Sequence, residues 1–183
     1  MTDTPTTRDA RILGSLRQLS ETSGVVRVED VYETDIVDLW SALTDPDRLR
    51  RWIATVDGDL RLGGRIHARF TSGWEGPGRI DVCDAPRRLL VTMEPDTAEE
   101  TVIEAELTAV GVKSRLVVEE RGIPLREMAA HGAGWQAHLE DLASYLDGRT
   151  PGEWRARWTE LTPTYEELGK AGLSAQRRRG VES

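Results

Sequence analysis

The sequence predicts an α+β domain: a curved antiparallel sheet of about six to seven strands packed on one long helix near the C-terminal end. Three observations carry this. Residues 131–146 place Trp135, Leu139, Leu142 and Leu146 at helical spacing, so they line one apolar stripe, with Gly148 just past the end as a stop. Glu140, Asp141 and Ser144 fall away from that stripe. Upstream, short β-branched or alternating stretches recur between Gly, Pro and Asp turns. Their short connections imply neighbouring antiparallel strands. No comparable helix is evident to pair with 131–146, so the sheet is its expected partner.

In chain order, residues 1–9 are polar and Thr-rich and read as disordered. Residues 10–19 fit either helix or strand: Ile12, Leu13, Leu16 and Leu19 have helical spacing, but Gly14 weakens a helix, and strand is preferred. Residues 25–32 are a strand. Thr34 or Asp35 caps a short helix over 36–43, and Asp45 with Pro46 starts another that runs to about Trp52. Strands follow at 57–62, 65–70, 79–83, 88–94, 101–109 and 114–120. Turns lie at Gly63-Gly64, Ser72–Gly78, Asp84-Ala-Pro86, Pro95-Asp96 and Val110-Gly111. Within 65–70, Ile66, Ala68 and Phe70 share one face, and Arg65, His67 and Arg69 the other. Residues 149–183 form an extension. Trp154, Trp158 and Leu161 recur at helical spacing, Pro163 breaks or restarts the pattern, and Gln176–Gly180 reads as a free basic end. The Trp pair is expected to dock on the domain or on a second subunit, which would make a homodimer.

Composition narrows the function. A net charge of −8 argues against nucleic acid or an anionic membrane as partner, because both need a basic surface. Cys83 is the single cysteine, which removes intramolecular disulfides and cysteine-based zinc sites. No apolar run is long enough to span a bilayer, and the first residues lack the pattern of a secretory signal, so a cytoplasmic location is expected. No metal site is expected either: His131 and His138 are two helical turns apart, too far to share one ion. Asp81, Glu94 and Glu120 sit in strands where alternation can turn them inward, without a recognisable partner in sequence. No nucleophile elbow, phosphate loop or dinucleotide fingerprint is present. The reading is no catalytic residue and no cofactor. Gly132 and Gly134 suggest an irregularity, a close approach by the sheet or a ligand, or a regular helix that begins only near Trp135.

Three motifs carry a resemblance. They are Leu39-Trp-Ser-Ala-Leu-Thr-Asp-Pro-Asp-Arg-Leu-Arg-Arg-Trp52, Asp59-Leu-Arg-Leu-Gly-Gly64, and His131-Gly-Ala-Gly-Trp135 with Leu139 and Leu142. In this order the chain resembles the activator-of-heat-shock-ATPase-like branch of the START/polyketide-cyclase/birch-pollen-allergen (SRPBCC) superfamily, over roughly residues 25–148. The resemblance implies a helix-grip fold with a cavity between the sheet and the long helix, hence a domain over 10–148 and an extension over 149–183. Lipid carriers, sensors, cyclases and co-chaperones share such a fold, so it does not select an activity. The function expected is non-catalytic binding of a small apolar or amphipathic ligand. A cyclase- or hydrolase-like enzyme, or a co-chaperone-like or dimeric interaction module, is the alternative. The candidate wall residues are Trp40, Trp52, Ile66, Ala68, Phe70, Trp74, Ile103, Leu107, Met128, His131 and Trp135. Core packing alone also accounts for many of them, at roughly 1.5–3 kcal/mol per large apolar side chain buried.

Overall fold

A computed structural model describes residues 11–181, with side chains as far as residue 172; the 1–9 segment lies outside the described residues. Eight strands form one open antiparallel sheet. They are β1 (Gly14–Gln18), β2 (Ser23–Tyr32), β3 (Ala54–Gly58), β4 (Arg65–Phe70), β5 (Glu75–Asp84), β6 (Arg88–Met93), β7 (Thr101–Val110) and β8 (Lys113–Pro124). Their spatial order is β1-β2-β8-β7-β6-β5-β4-β3. Two short helices, α1 (Ile36–Thr44) and α2 (Pro46–Leu49), link β2 to β3. The long helix α3 (Met128–Leu146) lies against β2, β1 and β8, and α4 (Trp154–Val181) follows it. The fold is the helix grip the motifs implied, with one strand more than the expected six to seven.

Local chemistry explains most boundaries. Asp35 caps α1 by accepting from the backbone N–H groups of Val37 and Asp38, and Asp45 caps α2 with Pro46 at its start. Between residues 10 and 19 the strand wins over the helix, because β1 finds a full ladder against β2, Gly14 opposite Val28 to Gln18 opposite Gly24. The strand expected at 57–62 instead spans Ala54–Gly58. Gly58 has φ of 114° and Asp59 accepts from Arg61 N, so the chain turns there. The turn expected over Ser72–Gly78 is shorter, because β5 already begins at Glu75. Pro77 is tolerated inside β5; its carbonyl accepts from the Glu94 amide.

The largest departure from expectation is the partner of α3. Glu140, Asp141 and Ser144 were expected to fall away from the apolar stripe, yet Asp141 and Ser144 are buried, as are Gln136 and His138. α4, a continuous helix that accommodates Pro163, covers Gln136 with Tyr165 and His138 with Trp154, and Asp141 accepts from Gly152 N on the approach to it. Its backbone stays helical to Val181, through the stretch read as a free basic end, whose side chains lie outside the described residues. Tyr165 is fully buried and donates to Gln136 Oε1 at 2.8 Å. Gln136 in turn donates to Arg11 O and to Glu140, and accepts from Leu13 N. This amide fastens β1's approach, α3 and α4 together. Arg157 on α4 grips the Glu140 carboxylate with Nε at 2.6 Å and Nη2 at 2.8 Å, a fork geometry stronger than a single ion pair.

The two glycines of α3 follow from the same contact. The helix is regular from Met128, so neither marks a late start. A Cβ on Gly132 would meet Tyr165 Cδ1 at 2.4 Å, and one on Gly134 would meet Trp154 Cζ2 at 3.1 Å. The closest approach is made by α4, and at Gly132 the sheet joins it, with Leu16 Cδ2 of β1 at 3.1 Å.

Candidate functional site

Two cavities separate the sheet from the helices. The smaller, about 160 Å³, lies inside the main apolar core, walled by Trp52, Ile66, Ala68 and Ile80 among others. The larger, about 640 Å³, opens between the β4–β8 side of the sheet, the first half of α3 and the first turns of α4. Phe70, Met93, Ile103 and Trp135 line both and form the partition between them.

Of the eleven wall candidates, Phe70, Trp74, Ile103, His131 and Trp135 line the larger cavity. Trp52, Ile66 and Ala68 line the smaller one. Trp40, Leu107 and Met128 line neither. Trp40 and Leu107 pack in the main core, and Met128 reaches over Gly24, where a Cβ would come within 2.2 Å of its Sδ. Trp74 stays partly exposed. It stands edge-on to Phe70 with ring centroids 5.6 Å apart, and it crosses Gly76, where a Cβ would meet the indole at 2.8 Å.

The polar centre of the larger cavity is Glu120. The inward positions of β8 run Leu116, Val118, Glu120, so a carboxylate stands where an apolar side chain continues the stripe. It is 6% exposed. Its Oε2 accepts from Trp135 Nε1 at 2.7 Å and faces His131 Nδ1 at 2.9 Å; its Oε1 accepts from Thr101 Oγ1 at 3.0 Å. Burial pushes the Glu120 carboxyl up, but the His131 hydrogen bond and charge, with the Trp135 and Thr101 bonds, outweigh it and hold its pKa below the ordinary value. Burial likewise pushes His131 down, and the bond and charge of Glu120, with the Glu127 charge, raise its pKa overall. The two form a charged pair whose imidazole is a third exposed towards the cavity. The other inward candidates differ. Asp81 is held by Arg79 and Thr92 and lines neither cavity, while Glu94 stands on the larger cavity's lining at a φ of 49°.

His138, Trp154 and Trp158 also line the larger cavity, and none was among the expected wall residues. The two indoles stack at 6.0 Å and 15°, and donate to Gly134 O and Ala130 O. His138 lies beside Trp154 at 5.2 Å, buried, with Nδ1 lacking any partner among the described residues. The i, i+4 spacing of the tryptophans showed that they dock. That they dock over His138 depends on α4 folding back along α3. Among the described residues no cluster of three or more His, Cys, Asp or Glu is arranged to hold a metal, and no helix is long and apolar enough to cross a membrane.

The comparisons with known proteins agree with the fold. CalU16 from Micromonospora echinospora is similar in crystal form at 25% identity and a TM-score of 0.71, covering 85% of this chain and 95% of that one. DynU16, from the dynemicin biosynthetic locus, is similar at 25% identity and a TM-score of 0.64; the match covers 70% of this chain but only 50% of DynU16. A protein encoded by BPP1335 of Bordetella parapertussis shares the fold at 24% identity and a TM-score of 0.65, covering 81% of this chain and 86% of that one. No match was found among curated proteins. Residues 33–147, more than half of the chain, match the family described as Activator of Hsp90 ATPase homolog 1-like protein, and the chain belongs to that family.

Proposed function

We propose that this chain binds a small apolar or amphipathic ligand, without turning it over, in the larger cavity between the sheet and α3. The observation that carries this is the cavity itself. At about 640 Å³ it falls within the ~300–1,000 Å³ usual for small-molecule sites, and its aromatic walls surround a few convergent polar groups. The likeness to DynU16, a protein of a biosynthetic locus, supports a small molecule as ligand. A thermal-shift screen with native mass spectrometry against lipids, polyketides and aromatic compounds tests it. A true ligand at a hundred times its Kd stabilises the chain by about 2.7 kcal/mol. Failure of every class to raise the melting temperature or to appear in the mass spectrum overturns the reading.

A second reading, a cyclase- or hydrolase-like enzyme, is favoured by the Glu120–His131 pair. A carboxylate orients the imidazole through Nδ1, and Nε2 makes no hydrogen bond among the described residues. That is the arrangement of a positioned acid–base group, with the raised pKa favouring proton donation. Mass spectrometry of each screened ligand after incubation separates the two readings: unchanged ligand supports binding, and a product lost in His131→Asn supports catalysis. Homodimerisation through the Trp154/Trp158 segment is a separate proposal. Light scattering on the full chain decides it, and a monomeric mass removes it.

A further inference from the structure

We infer that His138 selects the ligand by donating a hydrogen bond to a carbonyl oxygen carried on a flat aromatic ring; this rests on the ligand-binding reading above. The imidazole stands in an aromatic box. Its centroid is 5.2 Å from Trp154, 6.0 Å from Trp135 and 6.0 Å from Phe70. The residue is 4% exposed and lines the larger cavity. Nδ1 is sealed from solvent without a partner, and neither ring nitrogen makes a hydrogen bond among the described residues. Buried polar groups are nearly always satisfied, and an exception calls for something that completes it. Core packing gives no reason for histidine here, since a phenylalanine would fill the same box with no polar atom to leave unpaired.

The chemistry of the missing partner follows from the tautomer. A neutral imidazole has one donor and one acceptor nitrogen. A buried N–H without a partner is rarer than an under-used acceptor. Nδ1, the sealed nitrogen, therefore carries the lone pair, and Nε2, the nitrogen left open to the cavity, carries the proton. Burial pushes the ring's pKa down to about 3, so the group offered is a neutral N–H. Its complement is an acceptor oxygen. The walls supply the rest: three ring systems around one imidazole, with Trp154 backed by the stacked Trp158, suit a planar aromatic body. An aryl ketone or aldehyde combines the two features.

The test uses two probes of nearly equal shape, 2-acetonaphthone and 2-isopropenylnaphthalene, in which C=CH2 replaces C=O. Affinities are read from tryptophan fluorescence, and the carbonyl stretch of the bound ketone from difference infrared spectra. The ketone is expected to bind roughly tenfold or more tightly than the alkene, since sites built to hydrogen-bond a group discriminate against analogues lacking it. Its stretch is expected to move to lower wavenumber. His138→Phe removes both the preference and the shift while the alkene still binds, whereas His138→Gln, which keeps an N–H donor, retains part of each. Equal affinities of the two probes for the unaltered chain overturn the inference, and that comparison needs no variant to fold. A preference or shift that survives in His138→Phe overturns it as well. If neither probe binds but decanoic acid does, the inference falls and the ligand-binding reading stands. If none of the three binds and the wider screen is also blank, both fall.

Discussion

His131 and His138 stand on the same helix and line the same cavity, yet they hold opposite electrostatic states. Burial acts on both in the same direction, pushing each imidazole towards its neutral form. At His131 a carboxylate at 2.9 Å reverses the outcome and raises the pKa. At His138 three aromatic rings stand close, no carboxylate is paired with it among the described residues, and burial takes the pKa down to about 3. The helix supplies position in both cases. The protonation state is set by what the sheet and α4 bring opposite each ring: Glu120 from β8 in one case, Trp154 from α4 in the other. Around His131 the cavity is therefore ionic and hydrogen-bonded, and around His138 it is aromatic.

The most damaging way to break this comparison is Glu120→Ala. It leaves His131, Trp135 Nε1 and Thr101 Oγ1 facing an empty position, at a cost of about 3–5 kcal/mol for a disrupted buried ion pair. Urea denaturation reads the stability. NMR titration of His131 should show its pKa falling, because burial, the largest influence, is then opposed only by the Glu127 charge. An unmoved titration would mean that Glu120 does not set the charge of His131.

The pH dependence of stability sharpens the other half. His138 has a folded pKa of about 3 against an ordinary 6.5, so between these values the unfolded chain binds the extra proton. Its contribution is complete above pH 6.5 and is lost as pH falls towards 3, up to roughly 5 kcal/mol at full extent. His138→Phe should flatten that decline in denaturation midpoints measured from pH 7 to 4. Glu120, with its lowered pKa, contributes above the ordinary 4.5 and loses that only as pH falls through its folded value, so an acid limb remains in the variant. His131 has the opposite sign. Its pKa is raised from 6.5, so its contribution is full below that value and is lost as pH rises through the folded one. A decline between pH 6.5 and 4.5 that is the same in both proteins would show that His138 is not held neutral.

The smallest expected effect comes from Trp154→Ala. Trp154 is only half-buried, so its loss should cost about 2 kcal/mol, below the 3–5 typical of a fully buried tryptophan. Removing the indole admits water to His138 and should return its pKa towards 6.5 by NMR, leaving His131 unmoved. A shift at His131 instead would mean that the two histidines are coupled.

Much of this architecture was legible in local sequence. The stripe of Trp135, Leu139, Leu142 and Leu146, the caps at Asp35 and Asp45, and the alternation of Ile66, Ala68 and Phe70 depend on backbone periodicity and near-neighbour hydrogen bonds. So does the turn at Gly111, whose φ is 64°. The site was only partly legible. Glu120 is visible as a break in the inward stripe of β8, but its meaning depends on residues 11 and 15 positions later on another element. The polar positions Glu140, Asp141 and Ser144 were set away from the apolar stripe. In the structure Asp141 and Ser144 are buried and Glu140 is gripped by Arg157 of α4, on a helix buried nearly all round.

The sequence by itself determined the order of strands, short helices and long helix, the C-terminal end of α3 and the two faces of β4, because these follow from the 3.6- and 2-residue periods and from caps within a few residues. Only the tertiary structure decided that α4 returns along α3, that Gly132 and Gly134 clear its path, and that His131 finds a carboxylate while His138 finds none. Those outcomes depend on contacts between side chains far apart in the chain, and no local period encodes which distant group arrives opposite a given ring.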